Sequence, residues 1–151
     1  MKPAPTPQTT VRVQRLIRAP RERVFAAWTA PGQIAQWLVP RPGRVLSARM
    51  DLRIGGTFLY RVSISGGGEE DLLGVFREIT PPQRLVFTWS HHGNPDPRMS
   101  FEESLVTVEL AERLEGTEVK IIHSRLPADD IAIQFGGGWE MAMDQLEKLF
   151  P

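Results

Sequence analysis

Apolar residues recur at every third or fourth position over the last stretch of the chain, and they alternate with polar ones through most of what precedes it. Between Asp129 and Phe150, the residues Ile131, Phe135, Trp139, Met143, Leu146 and Phe150 fall on one helical face, with Glu140, Asp144, Glu147 and Lys148 opposite. A helix with so broad an aromatic stripe is unstable alone in water, so the pattern predicts a concave surface elsewhere in the chain to receive it. Gly136, Gly137 and Gly138 interrupt the stripe, each costing a helix interior about 0.8–1 kcal/mol relative to alanine. Two readings of the run stay open. It is a hinge, with the helix proper starting near Gly137 and Asp129 to Phe135 forming a separate turn, or it lets another backbone or a bound molecule approach the helix beside Trp139.

Upstream the period is two. Val11, Val13 and Ile17 alternate with Arg12, Gln14 and Arg18 as in a half-buried strand, and Arg15 breaks the apolar parity. Pro20 suits the first turn of a helix carrying Val24, Phe25 and Trp28 to about Thr29. A second short helix from about Pro31 carries Ile34, Trp37 and Leu38 until Pro40 and Pro42 stop it. Strands are then predicted at about 43–53, 56–65, 70–79, 84–91, 103–113 and 117–126, with turn chemistry between them, including Gly55-Gly56, Gly66-Gly67-Gly68, Pro81-Pro82 and Glu115-Gly116. Short connections join antiparallel neighbours, so these strands form a meander that the first strand joins at an edge. Phe58, Tyr60, Val62 and Ile64 share one parity, Leu85, Phe87 and Trp89 a second, and Val119, Ile121 and His123 a third. The expected fold is α+β: a curved antiparallel sheet of about seven strands wrapped around a long C-terminal helix, with two short helices after the first strand.

A chain of 151 residues is long enough for one domain that buries about 68–70% of its unfolded surface. Residues 1–9, with Pro3, Pro5 and Pro7 and no apolar core, are expected to be a disordered tail without the features of a signal peptide, and 10–151 the domain. The chain has no cysteine, which excludes disulfides and thiolate metal sites and fits a reducing compartment. Lys plus Arg and Asp plus Glu both total 18, a balance that gives no support to nucleic-acid binding. No run approaches the roughly 18 apolar residues of a membrane span, and a cytoplasmic location is expected.

The ordered set Ala19-Pro20, Val24-Phe25, Trp28-Thr29, Pro31 and Trp37, then Asp51 through Phe58, resembles the START-like, SRPBCC superfamily. Within it the set resembles in particular homologues of the heat-shock protein 90 ATPase activator. Gly74 to Glu78, Pro81 to Trp89, Gly116-Thr117 with His123, and Gly138-Trp139 with Asp144 and Leu146 continue the match across roughly residues 10–150. The resemblance implies the helix-grip fold, also that of the birch pollen allergen and of lipid-transfer START domains, with an apolar cavity between sheet and helix. It implies less about activity, since relatives bind lipids, hormones or polyketides, some cyclise or dehydrate polyketides, and the eukaryotic namesakes stimulate a chaperone through a protein that carries a further N-terminal domain.

Candidate chemistry is sparse. Adjacent His91 and His92 point to opposite faces of a strand and read as a solvated strand end rather than a metal site. Glu69, Glu70 and Asp71 after the glycine run, and Glu102-Glu103, read as solvated turns. Ser104 lies in no nucleophile elbow, and neither glycine run is a phosphate loop. His123 is expected to face inward. Inward rings and sulfur dominate: Phe25, Trp28, Trp37, Phe58, Tyr60, Phe76, Phe87, Trp89, Trp139 and Met143. They are the candidate lining of a ligand cavity of about 300–1,000 Å³, with Tyr60 and His123 as its orienting polar groups, and equally the contents of a filled core. The expected function is carriage or sensing of a small, largely apolar molecule without cofactor or metal. The alternatives are a chaperone-interacting activator and a cyclase or dehydratase using His123 with Tyr60; a homodimer and a chaperone stay open as partners.

Overall fold

In the computed structural model, which describes residues 9–64, 67–99, 101 and 103–151, seven strands form one antiparallel sheet. Strand β1 (Thr9–Ile17) leads to helices α1 (Arg21–Thr29) and α2 (Pro31–Ile34). Strands β2 (Arg44–Met50), β3 (Thr57–Ser63), β4 (Glu69–Thr80), β5 (Arg84–His92), β6 (Ser104–Arg113) and β7 (Gly116–Leu126) follow, and helix α3 (Asp129–Leu149) ends the chain. The sheet order is β1-β7-β6-β5-β4-β3-β2, so consecutive strands neighbour one another from β2 to β7, and β1 closes the β7 edge. Residues 1–8 lie outside the described residues. Thr9, expected at the end of a tail, is instead the first residue of β1, because the β1–β7 ladder runs on to pair it with Leu126.

The alternation read from the sequence places the core. Phe58, Tyr60 and Val62 of β3, Leu72 and Phe76 of β4, and Val119, Ile121 and His123 of β7 are all buried on one face. Against that face α3 buries Ile131, Ala132, Phe135, Trp139, Ala142, Met143 and Leu146, while Glu140, Asp144, Glu147 and Lys148 stay exposed. The helix runs unbroken through the three glycines, so of the two readings the hinge near Gly137 does not hold: burial of Ile131 and Phe135 on the same face as Trp139 outweighs the propensity cost. Trp37 lies past the end of α2, fully buried, its indole N–H donating to the Ala27 carbonyl oxygen at 3.0 Å.

Arg15, the break in β1 parity, is explained by the helix. Its guanidinium reaches Glu140 at 2.9 Å, Asp144 at 2.8 Å and Glu147 at 3.1 Å, joining the edge strand to the polar face of α3. Two glycine sites shape the sheet. Gly55, with φ +84°, precedes Gly56, where a Cβ would stand 2.1 Å from the Asp51 carbonyl oxygen, and together they close the β2–β3 connection against the Phe76 backbone. At Gly74 of β4 the Phe58 ring lies over the backbone, and a Cβ would meet it at 2.6 Å and the Thr88 carbonyl oxygen at 1.9 Å.

Gly74→Ala should therefore destabilise strongly, whereas Gly137→Ala, with nothing within 4 Å of its Cβ, should be neutral or stabilising by up to about 1 kcal/mol. Urea unfolding of the two variants in parallel checks the contrast, and equal midpoints would refute it. Trp139→Ala should cost about 3–5 kcal/mol in the same assay, since the ring is only 4% exposed.

Candidate functional site

A cavity of about 280 Å³ lies between α3 and the sheet, at the end where β3, β4 and β5 meet the α2–β2 connection. Its apolar wall comes from Leu38, Val39 and Pro40 of that connection, Val62 and Leu72 of the sheet, Met99, and Phe135 and Trp139 of α3. Gly138 contributes bare backbone to the same wall, and nothing lies within 4 Å of where its Cβ would be. A wider depression of about 720 Å³ on the other side of Val39 is rimmed by exposed Gln36, Arg41 and Arg44 and has a more polar lining.

One end of the cavity is polar, built from two strands and a loop. Glu70 shares the inward parity of Leu72 and Phe76 on β4, and His91 that of Leu85, Phe87 and Trp89 on β5. The Trp89 indole N–H donates to His91 Nε2 at 2.9 Å, and His91 Nδ1 lies 2.9 Å from Glu70 Oε2. Indole nitrogen can only donate, so His91 Nε2 must present its lone pair, which places the imidazole proton on Nδ1, donating to Glu70. The Asn94 amide donates to the same carboxylate oxygen. Both histidine and glutamate were expected in solvent. The sequence did hold the corrective signal, since residues 70 and 91 keep the parity of the buried positions beside them, but their charge and the adjacent glycine and turn residues point the other way.

Behind this wall runs a second, closed chain of hydrogen bonds. The Trp139 indole N–H donates to His123 Nδ1 at 3.1 Å, His123 Nε2 meets Ser104 Oγ at 2.7 Å, and Ser104 Oγ donates to the Trp89 carbonyl oxygen at 2.9 Å. By the same logic His123 carries its proton on Nε2 and donates to Ser104. The serine is thus a relay to a carbonyl, its own proton already placed, and the imidazole has no lone pair free to take one. Burial holds the His123 pKa down at about 3. Tyr60 is not brought to this pair; it stacks on Phe58 at 4.8 Å, and burial raises its phenol well above the ordinary range.

Of the eleven residues expected to line a cavity, Trp89 and Trp139 do so. Trp28, Phe58, Tyr60, Phe76 and Phe87 close around a remnant of only about 10 Å³, on the far side of Leu38 and Trp89. They pack edge-on and tilted, as in Trp28–Trp37 at 4.6 Å and Phe58–Phe87 at 5.5 Å, so their rings fill one another's gaps. Phe25, Trp37 and Met143 are buried core away from both spaces, and His123 sits behind Trp139. Trp28, which borders the remnant, has its indole N–H buried with no partner among the described residues. Among the described residues no cluster of three or more histidine and carboxylate side chains could hold a metal ion.

A curved antiparallel sheet gripping a C-terminal helix, with a cavity between them, is the helix-grip architecture of START-like proteins. Residues 18–151 match the family described as "Activator of Hsp90 ATPase homolog 1-like protein", and the chain belongs to that family. A solved protein from Nitrosomonas europaea is similar at TM-score 0.79 and 26% identity, over 93% of this chain and 92% of that one. An uncharacterised protein from Rhizobium leguminosarum is similar at TM-score 0.78 and 26% identity, over 95% of this chain and 94% of the other. An AHSA1-like protein from Aeromonas hydrophila shares the fold at TM-score 0.74 and 24% identity, over 93% and 90% of the two chains. No curated protein matches the sequence.

The depressed His123 pKa gives stability a pH dependence of definite sign. An unfolded histidine takes a proton near pH 6.5 and the folded one only near 3, so the unfolded state binds more protons in that window. The stabilisation is complete above about pH 6.5 and should fall on acidification towards pH 3, at up to about 1.4 kcal/mol per unit from this group. Urea unfolding at pH 7, 5 and 4 should show the loss. His123→Gln, though less stable at pH 7, should fall less steeply, so that the difference from wild type narrows towards pH 4; parallel curves would refute the assignment.

Proposed function

We propose that the protein binds a small, largely apolar molecule in the cavity between α3 and the sheet, as a carrier or sensor. The observation that carries this reading is the cavity itself: about 280 Å³, walled mainly by aliphatic and aromatic side chains, with Ser63 and Gln134 in the lining beside the Glu70, His91 and Asn94 group. At about 280 Å³ it falls just below the roughly 300–1,000 Å³ of small-molecule sites and of the cavity expected from the sequence, so the ligand is small. Orientation falls to Glu70, His91 and Asn94 rather than to Tyr60 and His123, which the core and the Ser104–Trp139 chain engage. Chemistry on the ligand finds no support in His123, whose two ring nitrogens are both taken.

A second reading, regulation of a chaperone ATPase, comes from the family's description. What favours it is exposed Leu46 on β2, Leu59 on β3, and Leu52 and Ile54 in their connection, apolar side chains on the outer surface that a protein partner could cover. It needs no cavity, so occupation of the cavity separates the two.

Gly138→Leu is the direct test, because Gly138 lines the cavity and a Cβ there would meet nothing within 4 Å, so the new side chain would take up cavity space. Titration with 4-phenylbutan-1-ol, followed by the indole N–H resonances of Trp89 and Trp139, should give submillimolar binding to the native protein. The variant should bind about tenfold or more weakly with an undiminished unfolding midpoint. Native protein that fails to bind below millimolar, or a variant that binds equally well, would overturn the proposal.

A further inference from the structure

We infer that the molecule bound in this cavity carries a protonated amine, seated against Glu70; the inference rests on the binding role proposed above and names the ligand's chemistry. Glu70 is only 9% exposed and lines the cavity. Both of its hydrogen-bond donors, His91 Nδ1 and the Asn94 amide, converge on Oε2, and among the described residues Oε1 has none. Neither donor brings a positive charge. Asn94 is an amide, and His91 is held as the neutral imidazole because the Trp89 indole N–H occupies its Nε2. Among the described residues no lysine or arginine pairs with Glu70: Arg61 is committed to Asp71, and Arg98 to Asp96 and Asp130.

A carboxylate with little of its surface in water and no lysine or arginine beside it gains from a cation, and a ligand in the cavity that Glu70 lines can bring one to its open oxygen. An ammonium meets it with a charge-assisted hydrogen bond, stronger than one from a hydroxyl. A ligand ending in a carboxylate would instead set like charges together beside the largely buried Glu70, where they repel. Leu38, Val62, Leu72 and Trp139 cover the remainder of the molecule, so the class is a small amine with an apolar aromatic or aliphatic body.

Three probes of one shape test this at pH 7 by calorimetric titration: 4-phenylbutylamine, 4-phenylbutan-1-ol and 4-phenylbutanoate. The amine should bind about tenfold or more tightly than the alcohol, and the carboxylate weakest. Glu70→Gln, which keeps the side-chain shape, should erase the amine's advantage while leaving alcohol binding within a few-fold. The comparison on the native protein decides the matter even if that variant does not fold. Alcohol binding with no preference for the amine, or a preference that survives in Glu70→Gln, overturns the amine inference and leaves the cavity's binding role standing. Failure of all three probes to bind removes the binding role and the inference together.

Discussion

Burying the aromatic face of α3 without orphaning the polar atoms that come with it is the constraint on which this structure depends. Trp139 brings an indole N–H into the core, and a buried donor left unpaired costs about 1–3 kcal/mol. His123 of β7 accepts it, passes its own proton to Ser104 of β6, and Ser104 donates to the backbone of Trp89 on β5. One helix residue is thereby tied to three successive strands. On the polar side, Arg15 of β1 ties three carboxylates of α3 to the sheet edge. Part-exposed ion pairs are worth roughly 0.2–1 kcal/mol each, against about 1.5–3 kcal/mol for each large apolar side chain buried. The apolar face therefore holds the helix down, and the ionic face sets which edge strand it lies beside.

The cavity follows from where ring packing is complete and where it stops. Phe58, Phe76, Phe87 and Trp28 interlock at the inner end, made possible by the bare backbone of Gly74 beneath the Phe58 ring. At the other end the wall is the α2–β2 connection, whose backbone hydrogen bonds back to α2 reach only to Leu38 and whose later residues need an anchor. Gln145 of α3 supplies it: its amide donates to the carbonyl oxygens of Trp37 and Val39, each at 2.8 Å, and its side-chain oxygen accepts from the Arg41 backbone N–H. Leu38, Val39 and Pro40 are held as one side of the cavity by a residue on the helix that forms the other.

Two histidines illustrate how position alone separates roles. His91 and His123 each meet a tryptophan N–H and are each fixed as a neutral ring by it. His123 is closed in on both nitrogens and acts as a brace. His91 passes its proton to Glu70, a carboxylate at the cavity end with an oxygen to spare, so the same tryptophan–histidine pairing there orients a binding group. Membership of the activator family is compatible with either a ligand or a protein partner, and the polar end of the cavity is the feature of this chain that bears on the choice.

The seven strands, the gripping helix and the inward direction of His123 could be read from periodicity, because strand and helix parity are local properties that a few consecutive residues express. Parity also marked Glu70 and His91 as inward, yet charge and neighbouring turn residues suggested solvent; only the fold put Trp89 and Asn94 close enough to satisfy them. The sequence likewise presented ten inward rings and sulfurs without distinguishing those that fill from those that line. That distinction depends on gaps left by side chains far apart in the chain, as between Trp28 and Phe87 or Phe58 and Trp89. Continuity of α3 through its glycines was decided the same way, by burial against strands that local propensity does not see. Periodicity reports which way a side chain points. What it meets there is a property of the assembled packing, and the candidate site consists of such meetings.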